Sequence, residues 1–141
     1  MKKILYLLLF MLIAIACEER EGYGVLIKWE PDIKISENTK TEGTVCIPSN
    51  GGTYTFTCIN HNDICIKAIQ IDGKEYIGYD LSLVDNEQHI EGSFFEAKIL
   101  KNVMTLSFNT NKTSSPRSLK VFVVARSNFY DFTFHQAEKD K

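Results

Sequence analysis

Short runs in which apolar and polar residues alternate constrain the fold of this chain more than any other feature. In TYTFTC the residues Tyr54, Phe56 and Cys58 alternate with threonines, and three later runs repeat the pattern. A period of two places alternate side chains on opposite faces of a β-strand. The residues expected on one face of the later strands are Met104, Leu106 and Phe108, then Leu119, Val121 and Val123, then Tyr130, Phe132 and Phe134.

Short turn sequences separate these runs and predict hairpins. Asp72-Gly73 follows ICIKAIQI, Lys101-Asn102 follows FFEAKIL, and Arg126-Ser127-Asn128 precedes FYDFTFHQ. Connections of this length and composition join antiparallel strands. Residues 31–43 and 81–92 show no regular period, so we expect an irregular segment in the first and a long loop or a short helical turn in the second. The pattern as a whole predicts an all-β, antiparallel sandwich.

Length and charge exclude several classes of protein. The chain has 141 residues, which suit one domain, and a net charge of -2. Removal of residues 1–16 would take away Lys2 and Lys3, leaving 14 basic residues against 18 acidic ones and a net charge of -4. A nucleic-acid partner is not expected, because such proteins need clustered basic residues. For the same reason, charge alone is not expected to hold the protein on anionic lipid.

The N-terminus has the pattern of an export signal. Lys2 and Lys3 precede the apolar run Ile4 to Ala16, which at 13 residues is shorter than the roughly 20 needed to span a bilayer. The sequence Ala14-Ile15-Ala16-Cys17 resembles a bacterial lipobox. This resemblance implies a signal peptide over 1–16 and a lipid on Cys17. Two alternatives are cleavage by an ordinary signal peptidase and retention of the segment as an uncut anchor.

The residues after Cys17 bear on where the protein is displayed. Glu18-Glu19 resembles the short acidic export tags of Bacteroidetes surface lipoproteins. We therefore expect lipid anchoring in the bacterial outer membrane with exposure at the cell surface, the membrane being a partner through the lipid. Residues 17–40 are expected to be the lipidated cysteine, a tether and a candidate first strand in VLIKW, which Pro31 would end.

Residues 41–138 resemble a BACON domain, an immunoglobulin-like module of Bacteroidetes surface proteins. The matching features are Ser49 to Thr53 before an alternating strand, Asn60 at its end, the element Asn109 to Arg117, and a closing strand that ends at Gln136. The resemblance implies an immunoglobulin-like sandwich of about seven to nine strands. It also implies carbohydrate binding or the spacing of another module from the cell surface. The family usually has a tryptophan near the position of Ile64, whereas the one tryptophan here is Trp29.

Chemistry-bearing side chains give no catalytic pattern, so we expect no enzymatic activity, no cofactor and no metal site. The histidines His61, His89 and His135 are scattered, and the acidic residues of 80–91 lack calcium-loop spacing. Strand alternation places Cys58 and Cys65 on faces that differ in character, which argues against a disulfide between them. Together with Cys46, they are expected to be small buried or half-buried side chains.

Exposed aromatic rings are the remaining candidates for a binding site, because sugars stack on them. Four rings fall outside the core-facing alternation: Trp29, Tyr76, Tyr79 and Phe129. The leading hypothesis is a non-enzymatic envelope lipoprotein whose sandwich is a structural or interaction module, with a surface protein complex as partner. The alternative is a carbohydrate-binding accessory protein of a polysaccharide-utilisation system, with a glycan as partner.

Overall fold

The computed structural model describes residues 25–73, 75–78 and 87–140, and within them eleven β-strands. The strands in chain order are β1 Trp29–Pro31, β2 Ser36–Thr39, β3 Glu42–Ile47, β4 Gly52–Cys58, β5 Cys65–Ile71, β6 Glu75–Gly78, β7 Glu87–Glu91, β8 Phe95–Leu100, β9 Val103–Phe108, β10 Arg117–Ala125 and β11 Asn128–Gln136. No helix in this described part of the chain is long and apolar enough to cross a bilayer.

The strands form two sheets. The five-stranded sheet has the order β1-β4-β9-β8-β7, and the six-stranded sheet has the order β2-β3-β11-β10-β5-β6. The predicted all-β sandwich is confirmed. The pairing differs from a wholly antiparallel sandwich at one place, since β3 runs parallel to β11 with Val45 opposite Phe134. The described residues also form more strands than the seven to nine expected.

The predicted hairpins are confirmed. Asp72 and Gly73 lie in the short connection between β5 and β6, with φ angles of 48° and 69°, the left-handed geometry that tight turns need. Lys101, with φ 55°, begins the turn between β8 and β9, and Arg126, with φ 55°, begins the turn between β10 and β11. Each connection therefore sets the register of the hairpin it closes.

Two expectations of irregular structure are wrong. Within 81–92, residues Glu87–Glu91 form β7, and residues 81–86 lie outside the described residues. Within 31–43, residues Ser36–Thr39 form β2 and β3 begins at Glu42. Both β2 and β7 are edge strands. An edge strand pairs with a neighbour on one side only and buries few side chains. Its sequence therefore shows little alternation of apolar and polar residues.

The space between the sheets holds an aromatic core. Phe56 of the five-stranded sheet lies 5.1 Å from Phe132 and 5.6 Å from Phe134 of the six-stranded sheet, measured between ring centroids. All three are fully buried. Ile27 also belongs to this core, and Trp29 packs against it. Residues before position 41 therefore contribute to the same core as the later strands.

The two ends of the sandwich differ, and we name them by their distance from the N-terminal segment. The proximal pole contains residues 25–28, 59–64, 100–102 and 126–129. The backbone N–H of Ile64 donates to the carbonyl of Lys101 at 2.9 Å, which joins two of these segments. The distal pole contains residues 48–51, 109–116 and 136–140.

Candidate functional site

The structure separates the aromatic residues that the sequence singled out. Trp29 is half-buried between the sheets, 4.9 Å from Phe132 and 5.8 Å from Tyr130 between ring centroids. Phe129 is 57% exposed and lies on the outer face of the six-stranded sheet. Tyr76 has a described strand position, opposite Gln70. Tyr79 lies outside the described residues. Phe129 is thus the candidate whose described ring is open to a ligand.

A hollow of about 510 Å³ lies beside Phe129 on this outer face. Its lining residues are Lys67, Phe122, Val124, Arg126, Ser127, Asn128, Phe129 and Asp131. Strand register brings the set together, because Val124 lies opposite Phe129 and Phe122 lies opposite Asp131 in the β10–β11 pair. The volume is within the usual range of small-ligand sites, roughly 300–1,000 Å³.

A charged network borders the hollow. The Lys120 ammonium lies 3.5 Å from the Asp131 carboxylate and 5.0 Å from the centroid of the Phe122 ring. Burial raises the pKa of Asp131, and Lys120 opposes that shift. The site therefore combines apolar ring surface, an amide at Asn128, a cation and a carboxylate. Such a set can stack on a flat apolar group and exchange hydrogen bonds with hydroxyls.

A β-bulge shapes the hollow. Its position, which brings Lys67 to the hollow, could not be predicted from the sequence. The β5–β10 register shifts between Phe122 and Val123, so Phe122 lies opposite Ala68 while Val123 lies opposite Ile66. Lys67 is the extra residue between those two β5 positions, and it is exposed. Phe122 could have been found from the sequence, because it alternates with Val121 and Val123.

The three described cysteines form no disulfide with one another. Cys58 is buried in the five-stranded sheet, whereas Cys65 lies half-buried in the six-stranded sheet, so the predicted separation of the two is confirmed. Cys46 is exposed. Burial raises the pKa of the Cys65 thiol, which keeps it protonated and makes it a poor nucleophile.

An ionic cluster lies on the outer face of the β7–β8 pair. His89 Nε2 is 2.6 Å from a Glu96 carboxylate oxygen and 3.3 Å from one of Glu91, and the Lys98 ammonium is 2.7 Å from Glu96. The bond from Lys98, followed by that with His89, lowers the pKa of Glu96. His89, Glu91 and Glu96 could in principle share a cation. The Lys98 ammonium already neutralises Glu96, so the contacts are those of an exposed ion-pair group.

The distal pole is organised by Asn111, which is fully buried. Its amide nitrogen donates to the carbonyls of Ser115 and Ala137, each at 2.9 Å. Its side-chain oxygen accepts from the Thr113 backbone N–H at 3.1 Å and from the Thr113 hydroxyl at 2.7 Å. The Asn109 to Arg117 element singled out in the sequence therefore closes one end of the sandwich.

Comparison with known proteins gives a likeness of fold. No family model matches the chain, and no curated protein matches it. Among solved structures, it is similar to an NMR structure of a protein from Bacteroides thetaiotaomicron, with 24% identity and a TM-score of 0.65. The likeness covers 88% of this chain and 97% of that one. At this level of identity the likeness supports the fold and carries no statement about activity.

Proposed function

We propose that this protein is a non-enzymatic lipoprotein of the bacterial envelope whose sandwich acts as a structural or interaction module at the cell surface. The observation that carries the proposal is the hollow beside Phe129, where an apolar surface is exposed on the outside of a sheet. Exposed apolar surface bordered by polar groups is typical of binding sites. The hollow is open to water, which weakens the electrostatic effects on which catalysis depends.

The proposed attachment is a lipid on Cys17 in the outer membrane, with the sandwich outside the cell. The short apolar run, the small residues before Cys17 and the acidic pair after it support this placement. Several acyl chains on one residue give stable anchoring that a single chain does not. The full chain should partition into the detergent phase of a cloud-point separation, and Cys17→Ala should move it to the aqueous phase. Unchanged partitioning of Cys17→Ala would contradict the anchor.

Carbohydrate binding is the second candidate function, and the exposed ring of Phe129 favours it. The apolar face of a sugar ring can stack on Phe129, while Asp131, which lines the same hollow, can accept hydrogen bonds from its hydroxyls. The resemblance of residues 41–138 to a BACON domain supports the same role. Trp29, by contrast, packs against Phe132 inside the sandwich, so the proposed sugar site does not include it.

Two matched variants test the hollow. Phe129 and Ile59 are 57% and 58% exposed, but Ile59 directly follows β4 of the other sheet and does not line the hollow. The full chain in mild detergent is applied to an array of neutral and uronic-acid oligosaccharides. We expect binding that Phe129→Ala reduces at least tenfold, the effect of losing about 1.4 kcal/mol, and that Ile59→Ala leaves unchanged. Equal losses would contradict the site, and an array without binding would reject the carbohydrate candidate.

A further inference from the structure

The large apolar side chains that the structure leaves most exposed all lie at one end of the sandwich. Val25 and Leu26 are 38% and 40% exposed, Ile59 58%, Leu100 54% and Phe129 57%. All five belong to the proximal pole. In the described part of the chain, the distal pole exposes no large apolar side chain to this extent. Exposed apolar residues scattered singly need no explanation, whereas their concentration at one pole does.

Hydrogen bonds hold the segments that carry Leu26 and Ile59 side by side. The N–H of Ile59 donates to the carbonyl of Lys28 at 3.0 Å, and the Asn60 amide donates to the carbonyl of Leu26 at 2.6 Å. The segments around Leu26 and Ile59 are therefore direct neighbours. Leu100 lies opposite Val103, which extends the same outer surface across the β8–β9 hairpin.

We propose that Val25, Leu26, Ile59 and Leu100 form a membrane-docking surface that rests on the lipid bilayer. The inference rests on the proposed lipid anchor. Val25 follows Cys17 by eight residues, which span at most about 30 Å when fully extended. The distal pole lies a further strand length away, roughly 30 Å for a strand of nine residues such as β11. A lipid on Cys17 therefore keeps Val25 within about 30 Å of the bilayer, whereas the distal pole can lie up to about 60 Å from it.

The chemistry of the pole suits the boundary between lipid headgroups and acyl chains. Aliphatic side chains gain free energy by entering that boundary, and lysine can keep its ammonium at the headgroups while its methylenes lie deeper. Lys28 and Lys101 are exposed beside the aliphatic residues, and the acidic residues next to them are Asp63 in the adjoining loop and Glu87, which is exposed opposite Leu100. With a mature net charge of -4, apolar contact rather than overall charge must supply the attraction.

Photolabelling tests the docking surface. The full lipidated chain is reconstituted into vesicles of phosphatidylethanolamine and phosphatidylglycerol that contain a diazirine-bearing phospholipid, and labelled peptides are mapped by mass spectrometry. We expect peptides with residues 25–28, 59 and 100 to be labelled severalfold more than the peptide with residues 109–116. The double variant Ile59→Ser, Leu100→Ser should lower the label severalfold, whereas Lys112→Ser at the distal pole should not. Both altered side chains are exposed, so the fold should persist.

The outcomes separate this inference from the anchor on which it rests. Equal labelling of both poles, or label unchanged in the double variant, would overturn the docking surface while the chain stays in the vesicles. Crosslinks between two copies at Ile59 or Leu100, in place of lipid label, would also overturn it and identify a dimer surface. A chain that leaves the vesicles altogether would overturn the anchor first and the docking surface with it.

Discussion

The two poles of the sandwich differ in the hydrogen bonding of their buried polar atoms and in the exposure of their apolar side chains. At the distal pole the buried Asn111 makes four side-chain hydrogen bonds, none longer than 3.1 Å. In the proximal pole, or in the strand residue that directly follows one of its segments, three buried polar atoms have no hydrogen-bond partner among the described residues: Trp29 Nε1, Asn128 Nδ2 and the Tyr130 hydroxyl. The distal pole has one such atom, Gln136 Oε1. The same proximal pole also exposes the large apolar side chains.

This contrast indicates that contacts within the chain close the distal pole, whereas they leave apolar side chains of the proximal pole exposed. A buried polar atom without a partner costs free energy, and so does apolar surface left in water. The distal pole avoids the second cost, and its loop and its C-terminal segment bond to each other. The proximal pole leaves large apolar side chains in water, which is the arrangement expected of an end that meets something other than water. That contrast supports the proposal that the proximal pole faces the membrane.

Removal of the Asn111 side chain is expected to have the largest effect on stability. Asn111→Ala removes the donor to the carbonyls of Ser115 and Ala137 and the acceptor of the Thr113 backbone N–H, while the Thr113 hydroxyl keeps its bond to the Ser115 carbonyl. At about 1–3 kcal/mol for each unsatisfied group, partly relieved by water, the free energy of unfolding should fall by about 3 kcal/mol. The measurement is equilibrium urea unfolding followed by circular dichroism.

A neighbouring threonine provides the control for this prediction. Thr110 is exposed, and its hydroxyl donates one hydrogen bond to the Asn50 carbonyl at 3.2 Å. Thr110→Ala should change the free energy of unfolding by about 0.5 kcal/mol or less. If both variants lost the same amount, the distal network would not be the stabilising element that the hydrogen bonds indicate.

Substitution of Trp29 tests how much packing at the proximal end of the core contributes to stability. Its ring contacts Tyr130 and Phe132, so Trp29→Ala should lower the free energy of unfolding by about 2 kcal/mol, less than for a fully buried tryptophan. Phe129→Ala should change it by about 0.5 kcal/mol or less, because that ring is largely in water. Thermal unfolding of both variants separates a packing role from a binding role. A Trp29→Ala protein as stable as the original would contradict the packing role.

The buried hydroxyl of Tyr130 should make the protein sensitive to alkali. Burial, followed by the charge of Glu37, raises the pKa of Tyr130 to about 12. The unfolded chain has a tyrosine pKa of about 10, so between about pH 10 and 12 it releases a proton that the folded protein retains. Stability therefore falls as the pH rises through this window, by about 1 kcal/mol at pH 11. In Tyr130→Phe this part of the loss should vanish, as urea unfolding at pH 9 and 11 would show; an identical loss in both proteins would exclude Tyr130.

Asp131 should give the smallest effect. Burial raises its pKa despite Lys120, so the folded state disfavours the carboxylate relative to the unfolded state. This cost appears as the pH rises above about 3.9 and is complete above the folded pKa. Asp131→Asn should therefore stabilise the protein at pH 7 by about 0.5 kcal/mol or less, with the gain lost near pH 3. A clear loss of stability at pH 7 would mean that the bond with Lys120 outweighs the cost of burial.

The central strands could be predicted from the sequence because their side chains divide cleanly between core and surface. Leu119, Val121 and Val123 are all fully buried, as their alternation predicted. The edge strand β7 escaped prediction, since in EQHIE only Ile90 is buried. Part of its contact is made by Gln88, whose amide accepts from the Ile66 N–H at 2.6 Å and donates to the Ile66 carbonyl at 3.0 Å. No local sequence pattern predicts a side chain that forms hydrogen bonds with the backbone of a strand in the other sheet.

Residues of the candidate site could be predicted only where the alternation of apolar and polar residues along one strand decides which side chains are exposed. Phe129 lies outside the alternation of Tyr130, Phe132 and Phe134, and it is indeed exposed on the outer face. The burial of Trp29 depends on the long-range pairing of β1 with β4, which places it opposite Cys58. The clustering of exposed aliphatic residues likewise depends on which turns share a pole. Both are consequences of topology, which periodicity alone does not specify.

The mass of the mature protein is the decisive measurement for the proposed anchor, because the orientation of the sandwich on the membrane depends on the lipid on Cys17. The protein is purified from the envelope of cells that express the full chain, and its intact mass and N-terminal peptide are measured. We predict a chain that begins at Cys17 and carries a thioether-linked diacylglyceryl group and an amide-linked acyl chain. A chain with an unmodified Cys17, or one that retains residues 1–16, would contradict the proposed lipid anchor.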